Sequence, residues 1–279
     1  AAAKIICNLI LGPTTASALV ADAAPYSDVP TTHTFAGYIA YCQKEGIISG
    51  YADGTFRPAN TLTGYAFMKM LLGALGYDAE VEQYTGANWS INVAKRALNI
   101  GLDDDLVGDF NGIKAVNREE ACLYALNTLT ADMVEYDAKT TVSTNGTTVV
   151  IAGSKAKEMV NNGNTDGKVF DKDGVMQFAE KYFDNLSVKT GSDDFSRPAN
   201  VWKLKAEEIG TYTNTPDATY TKKVENGDIY KDLGLGSKIE AKDVSVYEDG
   251  VKKTNTVAIE KGDDTKVGNS GNGVLTEVF

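Results

Sequence analysis

The first half of the chain carries apolar residues at helical spacing. Within residues 64–75 they recur three and four positions apart, which predicts a helix with one buried face. That face is formed by Phe67, Met70, Leu71, Ala74 and Leu75. Thr61 or Thr63 is suited to cap the start of this helix, and Gly76 to end it.

A turn and a second helix are predicted just upstream. Asp53-Gly54 is a strong turn pair, and Pro58 disfavours helix at the residue before it, so the chain must reverse before it can coil. An earlier helix ends at Gly46. Its apolar positions are Phe35, Ile39, Tyr41, Cys42 and Ile47. The unit is therefore helix, glycine-rich loop, helix.

This unit recurs along the chain. A shift of about 55 residues places one helical pattern on another. It brings 89–102 onto 34–48, and 117–129 onto 63–75. The opening helix, Lys4 to Leu11, fits the second half of a still earlier copy. We therefore predict a partial copy at residues 1–24 and two further copies at 25–80 and 81–136.

Beyond residue 136 the pattern alternates between apolar and polar positions, as strands do. Residues 140–151 and 244–259 each place a two-residue turn, Asn145-Gly146 or Asp249-Gly250, between strand patterns, which predicts two hairpins. Residues 174–186 have one apolar helical face. The fold class predicted for the whole chain is α+β, with helical repeats followed by an α+β or mostly-β domain at 137–279.

Composition and charge narrow the possible functions. The 279 residues carry a formal net charge of −11, which repels polyanions and makes nucleic acid a poor partner. No apolar run reaches the ~20 residues that a membrane span needs. The chain begins inside a helical pattern and ends in a strand pattern, so we expect a fragment whose second domain is incomplete at its C-terminus.

Three cysteines, Cys7, Cys42 and Cys122, lie far apart in helical patterns without CxxC spacing. We interpret them as buried thiols. The odd number argues against a disulfide framework.

Two motifs, SDVP at 27–30 and GIISGYADGTFRP at 46–58, together with the capped helix that follows, resemble an S-layer homology repeat. The resemblance covers about residues 1–135. It implies all-α helix-loop-helix repeats that attach a surface-layer or cell-surface protein to pyruvylated cell-wall polysaccharide, and hence an extracellular location at the bacterial cell wall. Other surface-layer subunits are a further candidate partner.

The resemblance also implies a binding site. In the family, a tryptophan at the start of the first helix and the arginine of a T-R-A-E motif line grooves between repeats. Here Trp89 and the segment Asn117-Arg118-Glu119-Glu120 occupy those positions, and Asn117 and Glu120 also form a capping-box pattern. The predicted polysaccharide-binding residues are Arg118, Trp89, Glu120 and Asn117. The alternatives are that Arg118 pairs with Glu119 or with a neighbouring repeat, and that Trp89 only fills the core.

The copy at 25–80 departs from the family pattern. Thr34 replaces the tryptophan, and the segment TGYA at 63–66 replaces T-R-A-E, so this copy lacks the arginine. We assign Asp28 and Asp53 to turns that stabilise the fold.

Calcium is a candidate cofactor. Residues 162–173 place Asn162, Asn164, Asp166 and Asp173 at positions 1, 3, 5 and 12 of an EF-hand-like loop. The charge of this set is low for calcium, and an ordinary polar loop is the favoured interpretation.

Catalysis is not expected. His33 is the only histidine, and no nucleophile elbow or phosphate-binding loop is present. Besides non-catalytic anchoring, two alternatives remain: an interaction module that makes only protein contacts, and the anchor of a surface enzyme or adhesin whose working domain lies outside this sequence.

Overall fold

The computed structural model describes nine stretches of the chain: residues 1–137, 140–144, 147–151, 155–161, 174–183, 185–222, 228–234, 244–252 and 275–279. They divide into two compact units, Ala1–Asp184 and Asn185–Phe279.

Six helices lie in the described residues of the first unit. They are α1 (Ala2–Ser17), α2 (Ala36–Lys44), α3 (Gly64–Ala74), α4 (Trp89–Asn99), α5 (Arg118–Thr130) and α6 (Phe178–Tyr182). Helix α2 is followed by a loop and α3, and α4 by a loop and α5, within the ranges predicted for the two full copies. Helix α1 kinks at Gly12, whose φ of 73° and ψ of 158° are not helical, and Pro13 follows. The predicted end of the opening helix at Leu11 coincides with this kink.

The local signals around α3 are confirmed. The hydroxyl of Thr63 accepts a hydrogen bond from the backbone N–H of Ala66 at 3.3 Å, so Thr63 is the cap. The predicted apolar face is buried, with Phe67, Leu71 and Leu75 fully inaccessible. Each such side chain contributes about 1.5–3 kcal/mol by leaving water, so this face holds α3 at the centre of the unit.

Two pairs of helices in the first unit pack side by side. Helix α1 packs against α2, and α3 packs against α4. In each pair, a helix that the sequence predicts as the second of one copy meets a helix that it predicts as the first of the next. We call these two pairs the first joint (α1 with α2) and the second joint (α3 with α4).

The compact first unit extends further than the predicted boundary at residue 136. The backbone N–H of Met133 donates to the carbonyl oxygen of Met176 at 2.8 Å, and that of Phe178 donates to Ala131 at 3.0 Å. Phe178 is fully buried in the same apolar core as α3. The chain after α5 thus returns to the helices, which places residues up to 184 in the first unit.

Short strands lie between α5 and α6 along the chain. They are β1 (Val134–Glu135), β2 (Thr140–Thr144), β3 (Thr147–Ile151) and β4 (Lys157–Glu158). Strands β2 and β3 pair antiparallel with Thr144 opposite Thr147, as the predicted hairpin requires; its turn, 145–146, lies outside the described residues. The helix predicted at 174–186 is shorter than expected, because Val175 bridges to Val160 in extended conformation and only α6 coils.

The second unit is mainly antiparallel sheet. Strands β5 (Leu186–Ser192), β6 (Pro198–Leu204) and β7 (Glu207–Thr213) form a meander. The strands of a second sheet have the order β10-β9-β11-β8 and are β8 (Ala218–Tyr220), β9 (Val246–Glu248), β10 (Val251–Lys252) and β11 (Thr276–Val278). A short helix, α7, spans Asp228–Asp232.

The hairpin predicted around Asp249-Gly250 is confirmed. Both residues have positive φ, 50° and 76°, as a two-residue hairpin turn of this kind demands. Val251 lies opposite Glu248. Together, the helical first unit and the antiparallel sheets confirm the α+β class.

Candidate functional site

The candidate site is the start of α5. The side-chain oxygen of Asn117 accepts a hydrogen bond from the N–H of Glu120 at 2.8 Å, and the Glu120 carboxylate accepts one from the N–H of Asn117 at 2.9 Å. The predicted capping box is therefore present. Lys114 donates to the other oxygen of Glu120 at 3.0 Å. These hydrogen bonds, first from Asn117 and then from Lys114, lower the pKa of the Glu120 carboxyl.

Arg118 is the first helical residue and is exposed to solvent. Within the described part of the chain its guanidinium has no hydrogen bond or ion pair, so the alternative pairing with Glu119 is not seen there. The backbone N–H groups of Arg118 and Glu119 also have no acceptor among those residues. A free guanidinium beside two free amides suits a carboxylate or another small anion.

The start of α3 corresponds to the start of α5 in the predicted copies, but its amides are bound differently. Its first three amides all donate to acceptors of the protein. Those of Gly64, Tyr65 and Ala66 reach the carbonyl oxygens of Lys114 (3.0 Å) and Gly112 (2.8 Å) and the hydroxyl of Thr63 (3.3 Å), respectively. This helix start offers no amide to a ligand, and the arginine of the family motif is also absent from it.

Trp89 lies at the second joint. It is the first residue of α4 and is half-buried; its ring meets that of Tyr65 on α3 edge to face at 6.4 Å between centroids. The Nζ of Lys69 lies 5.6 Å from the centroid of the Trp89 ring. Packing against the core is thus one of its roles, and the part that remains exposed can still meet a ligand.

An aromatic row continues from this point, and the sequence pattern did not predict it. The Tyr65 ring meets Phe110 at 5.9 Å, and Phe110 meets Tyr124 of α5 at 6.2 Å. The row connects the start of α3 with α5. Gly112 makes room for it, because a Cβ there would lie 2.1 Å from the Tyr65 ring. No helical or strand periodicity marks Phe110 or Gly112, since both lie in a loop.

The motif GYADGTFRP folds around two carboxylates. Asp28 accepts hydrogen bonds from the N–H groups of Phe56 and Arg57, both at 2.7 Å. Asp53 accepts from the hydroxyl and N–H of Thr55 and from the Arg57 guanidinium; these bonds, led by the Thr55 hydroxyl, lower the pKa of Asp53 to about 2. Both aspartates bind backbone N–H groups, which confirms the predicted fold-stabilising role.

A cavity of about 750 Å³ lies at the opposite end of α5. Its lining includes Thr130 at the end of the helix and Asp132 beyond it, together with Tyr77 and Arg96. Arg96 is paired with Glu82 at 3.3 Å. The predicted site residues do not line this cavity.

The structure also bears on His33, on metal binding and on membrane-spanning helices. The Nδ1 of His33 accepts a hydrogen bond from the N–H of Phe35 at 3.1 Å, so this side chain stabilises the local turn. In the described stretches no group of three or more His, Cys, Asp or Glu residues could hold a metal ion. The calcium candidates Asn162, Asn164, Asp166 and Asp173 lie outside the described residues. Among the helices described here, none has the length and apolar character to cross a membrane.

The cysteines divide into two kinds. Cys7 and Cys42 are buried, as predicted, whereas Cys122 is exposed. The expectation of a buried thiol was wrong for Cys122, because it lies on the outward face of α5.

Comparison with known proteins identifies one family. The family model for the S-layer homology domain matches residues 25–64. A surface layer protein of Brevibacillus choshinensis is 26% identical over 87% of this chain and 24% of its own length. A middle cell wall protein of Brevibacillus brevis is 27% identical over 39% of this chain and 10% of its own. An endoglucanase of a Bacillus species is 25% identical over 67% of this chain and 21% of its own.

The chain thus spans about a quarter or less of the length of these curated relatives. No solved structure matches it. The motifs on which the resemblance was based, at 27–30 and 46–58, fall inside the matched range. Residues 25–64 therefore match the S-layer homology domain, and together with these relatives they indicate an extracellular protein associated with the bacterial cell wall.

Proposed function

We propose that this chain is a non-catalytic anchor that binds pyruvylated cell-wall polysaccharide at the start of α5. The free guanidinium of Arg118, beside two amides without acceptors among the described residues, is the observation that carries the proposal. A pyruvate ketal presents one carboxylate, which a guanidinium can bind through two parallel hydrogen bonds. The proposal treats residues 81–136 as a further repeat beside the matched domain.

The charge distribution favours binding of an anionic polymer at one local cationic site and not through attraction by the chain as a whole. The chain carries a net charge of −11, so an anionic polymer gains nothing from the overall field. At the start of α5, Lys114 already neutralises Glu120, which leaves Arg118 to act on a ligand. The positive end of the helix dipole adds about 0.3–1 kcal/mol for an anion placed there.

The other predicted residues take supporting roles in this proposal. Asn117 and Glu120 bind each other's backbone and fix the first turn, so they orient Arg118 without contacting the sugar themselves. Trp89 offers the exposed part of its ring to sugar C–H surfaces. Because the start of α3 is closed, the described residues offer one such carboxylate site, and tight attachment requires several sites acting along one polymer.

Retention on purified wall polysaccharide tests the proposal. Arg118→Ala removes the charged hydrogen bonds and should weaken binding about tenfold, since such bonds contribute about 1.5–3 kcal/mol and exposure favours the lower end. Lys95→Ala is the matched control, because Lys95 is also an exposed cation without a partner among the described residues. Arg118→Lys should restore binding only in part.

Removing pyruvate from the polymer gives the complementary measurement. On the pyruvate-free polymer the wild-type chain should lose about as much affinity as the Arg118→Ala substitution costs on the pyruvylated polymer. The Arg118→Ala chain should bind the pyruvylated and the pyruvate-free polymer equally. Equal loss in Arg118→Ala and Lys95→Ala, or equal binding of both polymers by the wild type, would refute the proposed site.

A second candidate function is that the same segment anchors a longer enzyme. The endoglucanase relative favours this, since it is similar to this chain over 67% of the chain's length. Assaying the protein in its natural full length for hydrolysis of β-glucans, with and without attached wall, tests this candidate. Absence of hydrolysis from the full-length protein would remove it.

A further inference from the structure

Two thiols that are distant in sequence meet inside the first joint. Cys7 on α1 and Cys42 on α2 are both fully buried, and their sulfur atoms lie 3.7 Å apart. Each sulfur also approaches a backbone carbonyl of the opposite helix: that of Tyr38 at 3.5 Å for Cys7, and that of Ala3 at 3.7 Å for Cys42. The two side chains thus face each other across the helix pair.

The distance is short enough for the fold to accommodate a covalent bond between the two sulfurs without rearrangement. A disulfide joins its sulfurs at about 2.05 Å, so the pair must close by about 1.6 Å. Rotation of the two side chains and a small shift of α1 supply such a movement. Both helices already pack side by side, and Cys7 lies on the straight part of α1 before the kink at Gly12.

The location of the protein favours oxidation. Disulfides form and persist in extracellular proteins, whereas cytosolic thiols stay reduced. The family match and the relatives indicate that this chain works outside the cell. The two thiols therefore meet oxidants while the chain is still folding, before they become buried.

We propose that Cys7 and Cys42 form a disulfide that fastens α1 to α2 in the exported protein. The two thiols react with a disulfide-bearing oxidant, either a small molecule or a thiol-disulfide oxidoreductase. One thiolate attacks the oxidant to give a mixed disulfide, and the second thiolate displaces the remaining thiol. The new S–S bond replaces the one broken in the oxidant, which is released as two thiols carrying both protons.

The structure also indicates when this reaction takes place. The hydrogen bond with Cys7, followed by burial, raises the pKa of the Cys42 thiol far above its ordinary value. Little thiolate exists in the closed joint, and solvent does not reach either sulfur. The bond therefore forms while α1 is still undocked, during folding outside the cell, and is protected from reduction afterwards.

Such a bond would stabilise the N-terminal part of the first unit. The helix α1 is joined to α2 by residues 18–35, and the cross-link spans 35 positions in the sequence. Closing a loop of this size restricts the unfolded chain substantially. The first joint would then stay closed even when the second joint opens.

Thiol counting on the full chain tests the proposal. The Cys122→Ser background removes the exposed thiol, which would otherwise form bonds between molecules. The protein is refolded with oxidised and reduced glutathione, denatured, and treated with a maleimide mass tag. No tag without prior reduction and two tags after reduction are expected, together with a peptide pair containing Cys7 and Cys42 in mass spectrometry.

A stability measurement complements the count. Reduction should lower the midpoint of thermal unfolding of the Cys122→Ser chain by about 5–10 °C. The Cys7→Ser/Cys122→Ser chain is the control, and reduction should leave its midpoint unchanged. Two free thiols after oxidative refolding, or equal midpoints before and after reduction of a chain that carries the bond, would overturn the proposal.

Discussion

Replacing Gly112 with alanine tests how the loop before α5 packs on α3. The added Cβ would lie 2.1 Å from one carbon of the Tyr65 ring and 2.3 Å from two others. Carbon atoms prefer about 3.5–4.0 Å, so the ring must move away by about 1.5 Å. This movement separates Tyr65 from both Trp89 and Phe110, which it meets edge to face.

The expected loss follows from these contacts. Overpacking costs about 1–3 kcal/mol, and each aromatic pair contributes about 0.5–1.5 kcal/mol. Since the ring can partly rotate out of the way, we expect Gly112→Ala to lower the free energy of unfolding of the first unit by about 2–3 kcal/mol. For a unit of this size the unfolding midpoint then falls by about 5–10 °C.

Helical circular dichroism during urea and thermal unfolding is the appropriate assay, because the longer described helices belong to the first unit. The Tyr65→Ala chain supplies the control, since a methyl group added at position 112 has no ring to displace there. A double-mutant cycle should give a coupling energy of about 2 kcal/mol between the two positions. If Gly112→Ala costs the same in both backgrounds within about 0.5 kcal/mol, the proposed packing is refuted.

Two further predictions concern polar groups. Asn117→Ala removes the cap of α5 and should lower the free energy of unfolding by about 1 kcal/mol, measured by the same helical signal, with Asn117→Ser restoring most of it; an unchanged midpoint would contradict the capping role. In the second unit, burial would raise the pKa of Asp193, but hydrogen bonds from Thr213, Arg197 and Phe195 outweigh it and lower the pKa to about 2. Because the folded pKa lies below the unfolded one, this stabilisation is complete above about pH 4 and is lost as the pH falls towards 2. Asp193→Asn should therefore flatten the acid dependence of unfolding followed by Trp202 fluorescence in a Trp89→Phe chain, and an unchanged slope would contradict this.

Local signals in the sequence predicted much of the first unit. The cap at Thr63 and the capping box of Asn117 and Glu120 depend on residues within three positions of each other, so the sequence contains all the information they need. The same holds for the turn at Asp249-Gly250, whose two residues tolerate positive φ. Such features follow from backbone geometry and need no knowledge of the neighbouring elements.

Features that depend on packing were not predictable. The thiols of Cys7 and Cys42 are 35 positions apart and meet only because α1 lies against α2. The return of residues 174–183 to the helices also depends on distant backbone partners, which is why the predicted boundary at 136 precedes the end of the compact unit. For the candidate site, the sequence indicated Arg118 but not the closed start of α3, because that closure uses backbone groups of a loop about 50 residues later.

The closure of α3 has a consequence for how such chains diverge. Two of its three bonds run from the N–H groups of Gly64 and Tyr65 to carbonyl oxygens, and every amino acid except proline supplies these backbone atoms. Substitutions of most residue types at the donor positions leave the bonds intact, provided that the space taken by the new side chain is free. Segments that are joined in this way can therefore differ widely in amino-acid composition and still pair the same backbone donors and acceptors. A single inserted residue would change which of these groups face each other.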